Sequence, residues 1–291
     1  MIFAERLKEL RTAAGLSQEK LAERLGVSRQ VITKWETDRG TPDMENLVAL
    51  AHTFAISLDE LVSGAGQKPP ADHLYDSVTE YDIGDNKHFD IKLGRVRSVE
   101  VAGYEGEKIR IRLASDTIET LQSDFKIKVD DIRGRLDVEL IRRRGVAEAT
   151  ARDGLDVTVQ LPQKYVSHAE LKAAAGNLTV RDLECEDLEF DGKTEAVLID
   201  GFSGGLDINC NLDMRIDCRS LKGSLEVNQR SAISRVTVPG SMPVSVRSRG
   251  IGNSVYFERG GAAAEDFSQP EADAVIELNG LKSELFVCAE N

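Results

Sequence analysis

Basic and amide side chains are concentrated in a short segment near the start of the sequence. Arg24, Arg29, Lys34 and Arg39 lie close together, and Gln30 directly follows Arg29. Guanidinium and ammonium groups donate hydrogen bonds to phosphate and carboxylate oxygens, and an amide both donates and accepts. The chemistry that this segment offers is the binding of a polyanion.

The residues that most often bind metals are scattered. The chain has four cysteines and four histidines, and no two cysteines form a C-x-x-C pair. A zinc site shows closely spaced ligand pairs, and a disulfide framework is typical of short secreted chains. We therefore expect no metal, no cofactor and free thiols. The residues are Cys185, Cys210, Cys218, Cys288, His52, His73, His88 and His168.

Acidic side chains are plentiful, but their pattern does not indicate catalysis. A run of carboxylates alternates with Leu183, Leu188 and Phe190, as on a solvated face. Paired catalytic carboxylates need a defined separation, which a sequence does not show. We expect no nucleophilic serine of the G-x-S-x-G type, and neither H-E-x-x-H nor a phosphate-binding glycine loop followed by Lys and Ser or Thr occurs. The acidic run comprises Asp182, Glu184, Glu186, Asp187 and Glu189.

A second basic cluster lies far from the first. Arg142, Arg143 and Arg144 are consecutive in the segment IRRRG, Ile141 to Gly145. We interpret this segment as an exposed connection between strands, and the docking of an acidic partner stays open as an alternative.

The composition indicates a globular protein of two domains. The chain has 291 residues, of which 41% are hydrophobic and 30% charged, and its net charge is −13. Such values are typical of folded chains rather than disordered ones. No apolar run approaches the roughly 18 residues that a spanning helix needs, and the first residues lack the apolar core of a signal peptide. We therefore expect a cytoplasmic protein that does not enter a membrane.

The first sixty residues have the apolar periodicity of helices. Apolar residues recur every three or four positions, which places them on one face of each helix. The expected buried residues are Phe3, Leu7, Leu10, Ala14, Leu21, Ala22, Leu25, Ile32, Trp35, Met44, Leu47, Ala51 and Phe54.

Capping residues divide this stretch into five helices. Ser17 and Ser28 are predicted N-caps of the second and third helices, and Gly26 between them can adopt the positive φ that a tight helix exit needs. Thr41–Pro42 predicts the N-cap and first position of a fourth helix. Ser57–Glu60 has the pattern of a capping box for a short fifth helix.

This arrangement resembles the phage-repressor-like helix-turn-helix domains of the Cro/C1, or XRE, type. The matching stretches are RLKELRTAAGLSQEKLAERLGVSRQVITKWETDRGTPD and LVALAHTFAISLDEL, within residues 2 to about 62. Two helices joined by a short turn that contains glycine form the motif. The resemblance implies an all-α five-helix domain that binds double-stranded DNA, and a role in transcription regulation.

The resemblance also implies roles for individual residues. In this family the third helix lies in the major groove, and its first residues meet the base edges. Carried over, Arg29, Gln30, Thr33 and Lys34 face the bases or the nearby phosphates. Arg can bond guanine O6 and N7, and Gln can bond adenine N6 and N7. The residues implied to contact the DNA backbone are Ser17, Gln18, Ser28 and Arg39.

The charge is unevenly distributed along the chain. Residues 1–66 carry eight Lys or Arg and ten Asp or Glu, so −11 of the total −13 falls in the remainder. Because non-specific DNA affinity comes mostly from phosphate neutralisation, we expect this protein to bind non-specific DNA poorly. Specific binding then requires two copies of the domain, which predicts a homodimer.

The composition changes after the helical segment. SGAGQKPPAD, Ser63 to Asp72, is rich in Gly and Pro and has no apolar periodicity, as is typical of a linker. We therefore predict a helix-turn-helix domain at 1–63, a linker at 64–74 and a β-rich domain at 75–291.

Strict alternation of apolar and polar residues predicts strands in this second domain. The clearest run is LDINCNLDMRIDC, Leu206 to Cys218, which places Cys210 and Cys218 in the interior. Asn279–Gly280 indicates a tight turn. Similar alternation occurs at Phe89–Leu93, Ile109–Leu113, Phe125–Val129, Leu136–Leu140, Leu155–Leu161, Leu178–Val180, Leu188–Phe190, Val197–Ile199, Leu225–Val227, Val236–Val238, Val244–Val246, Val255–Phe257 and Ile276–Leu278.

Short self-similar segments suggest how these strands are arranged. AGNLTV, TEAVLI, GGLDI and KGSLEV recur at uneven intervals, and stacked units of this kind form β-solenoids. The region from LDVTVQLPQ to VSVRSRGIGNSVYFERG resembles the adhesin-like domains of unknown function found in many bacterial proteins. A β-sandwich is the alternative, since alternation alone does not separate the two folds.

Two functions remain open from the sequence. The first is a sequence-specific transcriptional regulator, not an enzyme, whose β-rich domain dimerises or senses a small-molecule or protein effector. The second is a β-helical carbohydrate-active enzyme or glycan-binding module attached to a DNA-binding domain. An aromatic content of only 5% argues against a sugar-stacking platform and favours the first.

Overall fold

Four helices form the described part of the first of two compact units. The computed structural model describes residues 3–13, 16–37, 39–54 and 73–290. The chain divides into the units Met1–Asp72 and His73–Asn291. The helices of the first unit are α1 (Phe3–Ala13), α2 (Gln18–Leu25), α3 (Arg29–Glu36) and α4 (Met44–Phe54). In the described part of the chain, no helix is both long and apolar enough to cross a membrane.

A small apolar core holds these helices together. Leu7, Leu21, Ile32 and Leu50 are fully buried, one from each helix, and Trp35 is 5% exposed. Burying each such side chain contributes about 1.5–3 kcal/mol. The predicted inner-face residues whose side chains the structure describes lie in this core or pack against it, and the assignment of Trp35 to the core is confirmed. Ala14 lies outside the described residues.

The predicted caps of α2 and the turn after it are present. The hydroxyl of Ser17 accepts a hydrogen bond from the backbone N–H of Lys20 at 3.1 Å. Gly26 ends α2 with φ at 67°, in the left-handed region. Ser28 occupies the N-cap position of α3, but its hydroxyl makes no capping hydrogen bond.

The predicted start of the fourth helix is wrong by two residues. Asp43, not Thr41, precedes the helix, and its carboxylate accepts the backbone N–H of Asn46 at 2.9 Å. Asp caps a helix at least as well as Thr, so the cap nearer to the apolar stripe takes the role. The predicted fifth helix at Ser57–Glu60 lies outside the described residues.

The second unit, called the β-unit below, consists mainly of strands. They are β1 (Tyr75–Asp82), β2 (Lys87–Tyr104), β3 (Lys108–Ser115), β4 (Phe125–Ile132), β5 (Arg135–Arg142), β6 (Asp156–Pro162), β7 (Val166–Lys193), β8 (Ala196–Asn209), β9 (Met214–Arg230), β10 (Ile233–Val238), β11 (Val244–Ile251), β12 (Ser254–Arg259), β13 (Ala262–Ala263), β14 (Ala274–Leu281) and β15 (Glu284–Ala289). Two short helices, α5 (Leu121–Asp124) and α6 (Glu148–Gly154), interrupt them. Every predicted alternating segment overlaps a strand, so the prediction of a mostly β domain is confirmed.

The strands of the β-unit are joined edge to edge. Within residues 73–290, fifteen strands form one sheet. Each long strand pairs in parallel with the next long strand along the chain. The pairs are β2 with β7, β7 with β8 and β8 with β9. Antiparallel pairs occur near the start, where β1 pairs with β3 and β4 with β5.

A column of aliphatic side chains shows the repeat. Leu178 pairs with Val197, Val197 with Ile216, and Ile216 with Val236, and all four are buried. Successive members are thus 19 or 20 residues apart along the chain. Because the same apolar side chain type recurs at the same position in each turn, one continuous core runs through the β-unit.

The alternating run from Leu206 to Cys218 is two strands rather than one. β8 ends at Asn209 and β9 begins at Met214. The four residues between them connect β8 to β9, which pairs with β8 in parallel. Alternation persists through the turn, which is why the sequence gives no sign of the break. Cys210 and Cys218 are buried free thiols, as predicted.

The tight turn predicted at Asn279–Gly280 is wrong. Both residues lie within β14, where Gly280 pairs with Gly250 and Gln229. The chain turns instead at Lys282, which has φ at 52°. Gly280 instead lets β14 lie close to β9, because an added Cβ there would lie 3.0 Å from the carbonyl oxygen of Gln229.

Glycines allow two neighbouring turns of the chain to approach closely. Gly204 and Gly223 are partners in adjacent strands, with φ at 137° and 118°. A Cβ on Gly204 would lie 1.9 Å from the carbonyl oxygen of Cys185, and one on Gly223 would lie 2.1 Å from that of Gly204. Only glycine fits both the backbone conformation and the space.

Candidate nucleic-acid interface

The turn between α2 and α3 fixes the start of α3. The backbone N–H of Val27 donates to the carbonyl of Ala22 at 3.0 Å, and Gly26 adopts the left-handed conformation. The chain then enters α3 through Ser28, whose carbonyl accepts the N–H of Val31 at 2.9 Å. The polar face of α3 therefore begins directly after a closed, hydrogen-bonded turn.

Exposed basic and amide side chains occupy the outer side of α3. Arg29 and Gln30 form its first two positions, and Lys34 lies one turn further on. Arg39 follows the helix and is also exposed. None of these four side chains forms a hydrogen bond or ion pair with another residue of the described ranges.

A hydrogen-bonded network lies beneath this surface and joins three helices. Glu36, at the end of α3, accepts hydrogen bonds from Arg11 Nε at 2.6 Å and Arg11 Nη2 at 3.1 Å. Arg11 Nη1 also donates to the carbonyl of Leu16 at 2.8 Å. The Arg11 and Glu36 side chains are 14% and 3% exposed. The network fixes α1 and the segment before α2 against α3.

Two of the predicted DNA-facing residues belong to this network. Gln18 Nε2 donates to Glu36 Oε2 at 2.8 Å, and Gln18 Oε1 accepts from the Thr33 hydroxyl at 3.3 Å. Thr33 also lies 3.1 Å from the carbonyl of Arg29. Gln18 and Thr33 therefore connect α2 to α3, a positioning role that the sequence did not indicate.

The contact between Arg11 and Glu36 is a charge-assisted hydrogen bond. The hydrogen bonds to Glu36 raise the pKa of the Arg11 guanidinium, which outweighs the effect of its burial. A charge-assisted, two-pronged contact of this kind is stronger and more directional than a neutral hydrogen bond. It orients the end of α3 as a rigid element.

Apolar residues complete the underside of α3. Ile32 and Trp35 are buried, and Val31 is partly buried against the same core. Val31 is thus a packing residue in this structure. Ser28 keeps its hydroxyl free of capping, while Ser17 uses its hydroxyl as a cap.

One short segment of the β-unit matches a serine-nucleophile motif. The expectation that the G-x-S-x-G pattern is absent is wrong, because residues Gly201 to Gly205 read G-F-S-G-G. They lie inside β8, with Ser203 beside Glu184 and Lys222 in the neighbouring strands. A nucleophilic serine of that motif lies in a sharp turn between a strand and a helix. Ser203 lies within a strand, so this sequence match does not indicate a nucleophile.

Two buried thiols are poor nucleophiles. Burial raises the pKa of Cys185 and of Cys218 to about 12, so neither is a thiolate near neutral pH. In the ranges that the structure describes, no group of three or more His, Cys, Asp or Glu side chains is placed to hold a metal ion.

One groove of the β-unit has no aromatic side chain in its lining. Its volume is about 500 Å³. It is lined by Glu195, Leu212, Asp213, Met214, Arg215, Ile233 and Arg235. No aromatic ring is among these residues. In the acidic run, Asp182, Glu184 and Glu186 are exposed and Asp187 and Glu189 are half-buried, as on a largely solvated face.

The helical segment is similar to known regulators. A transcriptional activator, BcrR, from Enterococcus faecalis is 50% identical over 64 residues, which are 22% of this chain and 31% of that protein. A transcriptional repressor of the cryptic phage CTXphi, RstR, from Vibrio cholerae serotype O1 is 41% identical over 61 residues, 21% of this chain and 54% of that protein. The matched part of the chain spans about a third to about half of these relatives.

The β-unit is similar to a different group of proteins. The crystal structure of a candidate cell adhesion protein from Clostridium sporogenes matches 75% of this chain and 99% of its own, with 11% identity and a TM-score of 0.37.

The family comparison assigns only the N-terminal part of the chain. The match to the helix-turn-helix family begins at residue 7, within α1, and ends at residue 61, and it includes α2, the turn at Gly26 and α3. Residues 7–61 are therefore a helix-turn-helix domain of the Cro/C1, or XRE, type.

Proposed function

We propose that this protein is a sequence-specific DNA-binding transcription regulator that places α3 in the major groove. One observation carries the proposal. Arg29 and Gln30 stand side by side on the first turn of α3, exposed and free of other described side chains. The first turn of the second helix of such a motif is the part that meets base edges. The names of the similar activator and repressor support the same function.

The residues of α3 divide into two roles. Arg29 bonds guanine O6 and N7, and Gln30 bonds adenine N6 and N7, because each side chain presents two groups at the spacing of those base edges. Lys34 is a flexible point charge and suits a phosphate. Thr33 keeps acceptor lone pairs free for a base amine while its hydroxyl hydrogen bonds within the domain.

The backbone contacts set the register of the protein on the duplex. Gln18 has two amide hydrogens, and only one is needed for its bond to Glu36, so the other can donate to a phosphate. The Ser28 hydroxyl and the Arg39 guanidinium are free for the same purpose. Ser17 contributes at the N-terminal end of α2, where the helix dipole also favours a phosphate.

The β-unit then supplies assembly or sensing. We propose a β-solenoid at residues 75–291, joined by a linker at 64–74 to the DNA-binding domain at 1–63. Its continuous aliphatic column supports a solenoid rather than two packed sheets. A single helix-turn-helix domain covers one half-site, and two tethered copies gain avidity through effective concentration. We therefore assign homodimerisation, under the control of a small-molecule or protein effector, to the β-unit of a cytoplasmic regulator.

Selection of DNA tests the proposed function directly. The full-length protein is incubated with a random pool of duplex DNA, and the bound sequences are amplified and read. We expect an enriched motif with two-fold symmetry and half-sites about one helical turn apart. A pool that stays random after repeated rounds contradicts sequence-specific binding. Light scattering of the same protein over a concentration range tests the dimer, and a monomer at every concentration contradicts it.

A further inference from the structure

Three consecutive arginines of the β-unit have no carboxylate partner among the residues that the structure describes. Arg142, Arg143 and Arg144 are exposed, and none forms an ion pair with another residue of the described part of the chain. Elsewhere in the β-unit, basic side chains commonly pair with a neighbouring carboxylate, as Arg249 Nε does with Glu277 Oε1 at 2.7 Å. In a chain of net charge −13, three adjacent unpaired cations form a distinct local surface.

The backbone holds these arginines in place. Arg142 ends β5 opposite Phe125 of β4. The backbone N–H of Arg143 donates to the carbonyl of Asp124 at 2.8 Å, and its carbonyl accepts from Val146 at 3.1 Å. Val146 packs against the core. Because the turn is already ordered, binding through these side chains does not require the backbone to be ordered as well.

Further positive charge lies at the same end of the β4–β5 hairpin. Lys126 is opposite Ile141, is exposed and has no ion-pair partner in the ranges described. Arg95 lies across a small cavity of about 320 Å³ from Arg142, although it pairs with Glu148 at 3.1 Å. Because successive residues of a strand point to opposite faces, Lys126 lies on the other face of the hairpin from Arg142. The three arginines alone, called the hairpin cluster below, therefore form the surface without an ion-pair partner in the ranges described.

We propose that the hairpin cluster binds the phosphate backbone of duplex DNA. The inference rests on the proposed function, which brings a polyphosphate to this protein. Guanidinium groups match phosphate oxygens in a two-pronged geometry. Residues 1–66 carry no net positive charge, so the helix-turn-helix domain offers few phosphate contacts. The hairpin cluster supplies additional contacts that carry no sequence information, on DNA outside the base-reading site.

The salt dependence of binding tests this inference. The full-length variant Arg142→Gln/Arg143→Gln/Arg144→Gln is compared with wild type and with Arg215→Gln/Arg230→Gln/Arg247→Gln. The control removes three exposed arginines elsewhere in the β-unit, so the net charge changes equally. Each lost phosphate contact lowers the slope of log K against log salt by about 0.9, so we expect the slope to fall by about 2–3 for the hairpin variant only. Affinity near physiological salt falls at least about tenfold with it.

A change in DNA length gives a second, independent reading. Shortening the duplex to the selected site alone removes flanking phosphates, so wild type loses affinity and the hairpin variant does not. If the hairpin variant keeps the wild-type slope and length dependence, the inference is wrong, and an acidic protein becomes the partner to seek. If the wild-type protein binds no DNA, the proposed function is wrong. The wild-type measurement alone distinguishes this outcome from a failure of the inference about the hairpin cluster. Equal slope changes in both triple variants show only a general charge effect and also overturn the inference.

Discussion

Arg11 on α1 holds Glu36 on α3 through two hydrogen bonds, Nε to Oε1 at 2.6 Å and Nη2 to Oε2 at 3.1 Å. The pair is largely buried, and Gln18 adds a third hydrogen bond to the same carboxylate. The helix proposed to read DNA is therefore oriented by a charged contact at its C-terminal end, while the base-reading residues occupy its N-terminal end.

Replacing Arg11 by methionine is expected to destabilise the helical domain strongly. The Glu36 side chain, 3% exposed, would keep a charge without its cation, which costs about 3–5 kcal/mol. The double variant Arg11→Met/Glu36→Leu removes both charges and fills similar volume, so its stability should lie near that of wild type. Thermal unfolding of the helical circular dichroism signal measures both. A single variant as stable as wild type would show that the pair does not hold α3.

The pairing of Arg11 with Glu36 was not predicted, although the sequence places both charged residues on inner helix faces. Arg11 and Glu36 each follow a fully buried residue, Leu7 and Ile32, by four positions, so each is a charged residue on an inner helix face. A buried charge needs a partner. The identity of that partner depends on how α1 packs against α3, because the two residues are 25 positions apart.

Arg29→Ala and Gln30→Ala are expected to weaken binding to the selected site far more than binding to scrambled DNA. Each variant removes one bidentate base contact, worth about 1–3 kcal/mol of discrimination. Arg24→Ala is the matched control, since Arg24 is exposed on α2 and its loss changes the charge by the same amount as Arg29→Ala. Fluorescence anisotropy with both duplexes measures the effect. An equal loss on the two DNAs would contradict base reading.

The sequence predicted the strands and the buried residues of the β-unit. It predicted less well how the chain connects one strand to the next. Alternation located the strands because buried and exposed positions must alternate in a pleated chain. The uneven spacing of the repeated segments has a structural cause. AGNLTV and TEAVLI are partners in one part of the sheet through Leu178 and Val197, whereas GGLDI and KGSLEV are partners in another through Leu206 and Leu225. Each turn of the chain contributes to both columns, so neither period stands out along the sequence.

Gly204→Ala is expected to destabilise the β-unit. An added Cβ would lie 1.9 Å from the backbone oxygen of Cys185, and φ at 137° is strained for any other residue. Backbone strain alone costs about 1–3 kcal/mol, and the clash adds to it, so Tm should fall by several degrees. Gly84→Ala is the control, because nothing lies within 4 Å of a Cβ there. Equal melting temperatures for the two variants would show that the chain relaxes at Gly204 without cost.

The outer face of the β-unit contains a column of carboxylates in adjacent strands. Glu189 pairs with Asp207, Asp207 with Glu226, and Glu226 with Glu277. Burial raises the pKa of Asp207 to about 6, and the negative charges of Glu226, Asp187, Glu189 and Glu277 contribute in that order. Like charges at adjacent positions of a sheet destabilise it. The column is therefore a source of pH-dependent stability.

The sign of that dependence follows from proton binding. Between the unfolded pKa of an aspartate, about 4, and the folded pKa of Asp207 near 6, the folded state holds a proton that the unfolded state has lost. The contribution of Asp207 to stability is therefore fully present below about pH 4, falls as the pH rises towards 6, and is lost above it. Because this carboxylate is only partly buried, water and salt screen the repulsion, and we expect a change of about 1 kcal/mol.

Asp207→Asn is accordingly expected to raise the Tm of the β-unit by about 2–4 °C at pH 7.5 and to leave it nearly unchanged at pH 4.5. The amide keeps the size of the side chain and removes the charge that Glu189 and Glu226 repel. Glu265→Gln, at an exposed position away from the column, is the control for the general loss of one negative charge. Melting curves at several pH values, repeated at high salt, measure the effect, and salt should shrink it because screening weakens the repulsion. A variant that is less stable than wild type at pH 7.5 would show that the Asp207 carboxylate makes a favourable contact instead.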